Sequence, residues 1–177
     1  MSKMTMVRKL AFGAILVALQ IILSRYLGIQ TELFQISLGF VAIAIAAMML
    51  GPSWAAFIAI VSDFVGTMIA GTGAYNPMFS INAVLYALIF AWMFYKKEIG
   101  VWRVVICVII QLLFVAIPLT PLWLYIYHKY VTGMAKAFSV IFAAKLTASV
   151  IEAAVKIVVL IPICKYLYPR LSKVLKF

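Results

Sequence analysis

The stretch GPSWAAFIAIVSDFVGTMIAGTGAYNPMFSIN, residues 51–82, decides how this chain is read. An apolar run holds one acid, Asp63, and is then broken by Gly71, Gly73 and Pro77, with Tyr75, Asn76 and Asn82 around the break. An ionised carboxylate is costly in hydrocarbon, so Asp63 must face the protein interior, be hydrogen-bonded, or be protonated. A buried acid beside a glycine-interrupted polar loop suits a binding pocket at the mouth of a helix bundle. A structural role for Asp63, capping backbone or fixing a helix pair, stands beside the ligand-contact role.

Composition sets the solvent. Of the 177 residues, 68% are apolar and 11% charged, with a mean hydropathy of +1.20. Soluble domains carry about 25% charged residues, so the chain reads as an integral membrane protein. At about 20 apolar residues per crossing it has room for roughly six spans and no separate soluble domain. The expected architecture is therefore an all-α membrane protein of six transmembrane helices, with 1–177 as a single integral membrane domain. The net charge of +11 is concentrated in clusters at the edges of apolar runs, which is a topology signal rather than a nucleic-acid surface. Cys107 and Cys164 both fall inside spans without ligand spacing and read as structural thiols. Lys3, Arg8 and Lys9 precede the first apolar run in the manner of a signal peptide. No small-residue cleavage site leads into a polar mature domain, so that run reads as a retained span.

The spans are expected at residues 7–27, 36–50, 52–70, 79–95, 102–127 and 138–167. In the first, Ala14 and Ala18 are four apart and share a face, as small residues do where two membrane helices approach closely; internal packing gives the same spacing. Arg25 ends that span before a polar loop that holds Gln30, Thr31, Glu32 and Gln35. The second span is short for a full crossing, and Gly51-Pro52 marks its end. The fifth contains Pro118 and Pro121, which kink a helix and free backbone carbonyls. Trp123, Tyr125, Tyr127 and Tyr130 form either an interfacial belt or inward-facing rings. His128 lies in that belt and reads as a surface residue. Glu152 and Lys156 are four apart, acid first, and read as a structural ion pair.

Charge orients the bundle. With six spans and the N-terminus inside, the inner segments collect Lys3, Arg8, Lys9, Lys96, Lys97, Arg103, Lys165, Arg170, Lys173 and Lys176. The outer segments hold Arg25, Lys129 and Lys136, so both termini are expected in the cytoplasm. The Arg25 loop, the 71–77 loop and the aromatic-basic 123–136 segment then share the outer face, which suits a flat, anionic, polar solute arriving from outside. The sequence has no GxxxxGK[ST] phosphate loop, no HExxH, no GxSxG, no paired histidines and no clustered carboxylates. The reading is a binding subunit, not an enzyme, with no catalytic residues and no metal or cofactor of its own.

The chain resembles the substrate-binding S components of energy-coupling factor (ECF) vitamin transporters, and among them the folate family. The resemblance lies in Ala14-x-x-x-Ala18, ISLGFVAIAIAAMMLGPSWAAFIAIVSDFVG at 36–66, GTGAYNPMFSINA at 71–83 and AAVKIVVLIPIC at 153–164. It implies capture of folate or a related vitamin at the outer face of the bacterial cell membrane, under a gate made by the first loop. It also implies docking on a transmembrane scaffold subunit through Ala14 and Ala18, and release inside by toppling, with ATP used by two partner ATPases. On this resemblance the pocket candidates are Arg25, Asp63, Tyr75, Asn76, Asn82, Trp123 and Lys145. Arg25 or Lys145 would hold a glutamate carboxylate. Asp63, Asn76 or Asn82 would read the pterin edge, with Trp123 or Tyr75 stacking on it. Other readings are an S component for pantothenate or a queuosine precursor, an autonomous carrier or channel, and a membrane enzyme.

Overall fold

The computed structural model describes residues 5–30, 35–70, 75–132 and 137–167. Helix α1 (Met6–Ile21) runs on through a π turn at Ile22–Tyr26. Next comes a two-residue antiparallel ladder, β1 (Ile29–Gln30) with β2 (Gln35–Ile36), in the segment expected to be plain loop. The helices α2 (Phe40–Leu50), α3 (Pro52–Ala70) and α4 (Pro77–Phe94) complete the first half. In the second half α5 (Val101–Gln111) and α6 (Leu119–Tyr127) belong to one rod, and α7 (Phe138–Pro162) closes the chain.

Among the described residues, five helical stretches are long and apolar enough to cross a membrane, and α2 is the shorter sixth. The expected spans and observed helices agree to within a few residues at their ends. Val7, Met68, Trp102 and Phe114 are largely exposed, so the outside of the bundle is as apolar as its interior, the pattern of a lipid-facing surface.

α2 is the centre of the packing. It carries no polar residue, and nine of its eleven residues are buried, Ala42, Ala44, Ala46 and Ala47 completely so. A helix apolar all round belongs inside. At 1.5 Å per residue it extends roughly 16 Å, about half the hydrocarbon thickness, which is why it sits within the bundle rather than crossing it alone. Gly51 ends it with φ of 89°, where a side chain is strained, and a β-carbon there would meet the Tyr95 ring at 3.0 Å. That contact places the α2–α3 turn beside the last residues of α4, at the end of the bundle away from Arg25.

The long rod explains its own prolines. Pro118 has no N–H for the carbonyl one turn back, and its ring crowds it. The chain widens into a π turn at Leu112–Ala116, where the Ile117 N–H donates to Leu112 O at 3.0 Å and the Thr120 hydroxyl reaches Val115 O at 3.4 Å. His128 corrects the sequence reading. It is buried at 2% exposure, with its Nδ1 2.8 Å from the Leu124 carbonyl. A carbonyl only accepts, so Nδ1 is the donor, and the ring lies back along its own helix instead of on the surface.

Candidate functional site

The end of α1, the start of α2, the second half of α3, the first part of α4, α6 and the middle of α7 surround a cavity of about 420 Å³ that reaches into the middle of the bundle. Its size is that of a small-molecule site. Three groups of side chains build it.

The first wall is made by Arg25, Asp63 and Thr67. The Arg25 Nη2 donates to Thr67 Oγ1 at 2.9 Å and lies 3.5 Å from Asp63 Oδ1. Thr67 in turn donates to the Asp63 carbonyl at 2.8 Å. The other carboxylate oxygen, Oδ2, accepts from Ser80 Oγ at 2.5 Å, and the Tyr75 hydroxyl stands 2.7 Å from that Ser80 oxygen. Because Ser80 gives its proton to the carboxylate, Tyr75 donates to Ser80. Asp63 therefore ties α1, α3 and α4 together, the structural role read for it in the sequence, and it also lines the cavity. Gly66 makes the arrangement possible: a β-carbon there would stand 3.3 Å from Arg25 Nε.

The second wall comes from α7. Lys156 Nζ is 3.0 Å from Glu152 Oε1 and 4.3 Å from the centroid of the Tyr86 ring, a cation–π contact in a desolvated place. The expected ion pair is present, and it also lines the cavity. Lys145, two helical turns before Glu152, faces the same space; it has no ion pair or hydrogen bond among the described residues.

The third group is made of amides. Asn76 caps α4, its Oδ1 accepting from Met78 N at 3.0 Å, with Pro77 in the first helical position where a missing N–H costs nothing. Asn82, one turn into the helix, is held by Thr120 and by the Trp123 indole. Gln20 adds an amide whose buried oxygen has no partner among the described residues. Phe40, Phe79, Phe90 and Tyr127 supply aromatic surface between these polar groups.

Of the seven pocket candidates, Arg25, Asp63, Asn76, Asn82 and Lys145 line the cavity. Tyr75 and Trp123 stand behind it: Trp123 bonds directly to the lining Asn82, and Tyr75 reaches the lining Asp63 through Ser80. Residues 71–74 of the loop between α3 and α4 lie outside the described residues. The sequence reading did not propose Thr67, Tyr86, Thr120, Tyr127, Glu152 or Lys156 for the cavity. For Glu152 and Lys156 a signal existed, since an ionisable residue in mid-span marks a functional site by default. For the others nothing local distinguishes a cavity-facing hydroxyl from a lipid-facing one. Ala14 and Ala18 are exposed on α1, together with Ala11, away from the cavity. No three His, Cys, Asp or Glu side chains among the described residues could hold a metal ion.

A family model described as "ECF transporter, substrate-specific component" matches residues 8–164. The chain belongs to this family of ECF substrate-specific components. As an S component it is similar to the folate transporter FolT of Clostridium novyi (strain NT), 35% identical over 148 residues, which cover 84% of this chain and 83% of the relative. It is also 35% identical over 123 residues to the folate transporter FolT of Leuconostoc mesenteroides subsp. mesenteroides, covering 68% and 66% of the two chains. Its fold matches a crystal structure of FolT bound with folic acid at a TM-score of 0.75 and 28% identity, over 86% of this chain and 88% of that one. The membrane-spanning helices and the family together make this S component a multi-pass membrane protein.

Proposed function

We propose that this S component binds folate from outside the cell and delivers it inward as part of an ECF importer. The observation that carries the proposal is Lys145, a cation without a partner among the described residues, in the wall of a cavity whose other charges are paired and which adds aromatic faces and amides. Arg25 and Lys156 already have carboxylate partners, so Lys145 is the group left to receive the glutamate tail of the vitamin. The unpartnered Gln20 oxygen and the Asn82 amide offer hydrogen bonds to the pterin end, and the rings between them cover its faces. The similarity to named folate transporters supports the same reading.

In this proposal both chain termini lie in the cytoplasm and the cavity opens outward. Ala14 and Ala18 meet a membrane scaffold subunit, two ATPases supply the energy, and toppling of the whole bundle exposes the vitamin inside. The chain itself needs no cofactor. Titration of the purified protein with folic acid is expected to show saturable binding, and Lys145→Met to weaken it by about tenfold or more, the worth of a charge-assisted hydrogen bond. A wild-type protein that fails to bind folic acid would overturn the proposal.

A further inference from the structure

Asn82 is buried at 5% exposure, and the two groups that hold its amide leave it a single orientation. The Trp123 indole N–H can only donate, so the atom 3.0 Å from it is the amide oxygen. With the oxygen set by Trp123, the atom 3.2 Å from the Thr120 hydroxyl is the amide nitrogen, so towards Asn82 the hydroxyl accepts, and its own proton serves the Val115 carbonyl at 3.4 Å or Tyr86. An asparagine amide is ordinarily free to exchange its ends by a flip. Here a flip would set N–H against N–H at Trp123 and disturb the Thr120 contact as well. What the amide still offers is its second N–H and its second lone pair, in fixed order.

We infer that the locked Asn82 amide selects a ring lactam, a carbonyl next to a ring N–H, and rejects the same ring with an amino group in place of the carbonyl. In the lactam the carbonyl accepts from Asn82 and the ring N–H donates to it. In the 4-amino analogue both partners are reversed, and only a flipped asparagine would match it. The inference rests on the folate reading, since the pyrimidinone edge of folate is such a lactam and that of aminopterin is its 4-amino counterpart. Trp123 and Thr120 act here as positioning residues: they fix the direction in which Asn82 reads the ring.

The test compares folic acid with aminopterin by calorimetry on the purified full chain. The wild type is expected to prefer folic acid by on the order of tenfold or more, because a reversed pair leaves buried groups unsatisfied. Trp123→Phe removes the donor and Thr120→Val the acceptor. Each is expected to shrink the preference to about threefold or less, the double variant furthest, whereas Thr120→Ser keeps the wild-type ratio. Loss of packing alone would weaken both ligands together and leave the ratio where it was. An equal affinity of the wild type for both ligands, or a preference that survives in Thr120→Val and in the double variant, overturns the inference and leaves the folate reading intact. A wild type that binds neither pteridine overturns both.

Discussion

Asp63 has two oxygens and uses them for two different helices. Oδ1 faces Arg25 of the first span, and Oδ2 takes the Ser80 proton from the fourth. Both side chains of the ion pair are mostly buried, at 13% and 22% exposure, so the carboxylate matters more than a surface charge would. Asp63→Ala is expected to lower stability by roughly 2 kcal/mol, because Arg25 loses one carboxylate partner and Ser80 its acceptor. Thermal unfolding in detergent measures this, and Ser80→Ala should cost less, about 1 kcal/mol. An Asp63→Ala protein as stable as the wild type would show that the network contributes nothing to the fold. Lys156 belongs to the same scale. It is nearly buried, and Glu152 and the Tyr86 ring hold it. Lys156→Met is expected to destabilise by about 3 kcal/mol, with much of the loss recovered in the double variant with Glu152→Gln, which removes the stranded charge.

At the scale of elements, α1 and α2 divide their labour. α2 presents small side chains on a fully buried surface, so the helices around it come close, and enlarging one of them overpacks the core. α1 turns Ala11, Ala14 and Ala18 outward, where they form a shallow strip among larger exposed side chains such as Val7 and Ile15. If that strip receives the scaffold subunit, Ala14→Leu with Ala18→Leu should block assembly and folate uptake by cells while the purified chain binds folic acid as before. Wild-type uptake in that variant would remove α1 from the docking surface. The agreement between expected and observed helices also belongs here. Gly51-Pro52 and Asn76-Pro77 mark their boundaries by local backbone chemistry, so the starts of α3 and α4 were readable within a few residues. The π turn at Leu112–Ala116 was not, because it arises from crowding between Pro118 and its preceding turn. His128 was misread because its burial depends on the helices packed around it, which no local pattern records.

For the whole molecule, the Gly51 turn lies against Tyr95 at one end and the Arg25–Asp63 pair lies at the other, so the two ends of the bundle differ in chemistry as well as in charge. The proposed orientation places Lys97 inside and Lys129 outside. With Cys107 and Cys164 buried, Lys129→Cys should react with an impermeant maleimide added to intact cells, and Lys97→Cys only after the membrane is opened. The reverse pattern would invert the topology and put the cavity on the cytoplasmic side.

The sequence by itself determined the solvent, the apolar helices and their approximate ends, since each is written in local composition and needs no partner; that α2 lies within the bundle rather than crossing it alone came from its packing. The sequence also named five of the residues that line the cavity, because polar groups stand out in an apolar run. The tertiary structure alone decided how those groups meet: Asn82 with Trp123 across 41 positions, Arg25 with Thr67 across 42, and Lys145 left without a partner among the described residues. The reason is rotational. In lipid the outside of a helix is as apolar as its inside, so periodicity does not say which face turns inward, and only packing fixes the angle that brings a hydroxyl or an indole N–H onto its partner.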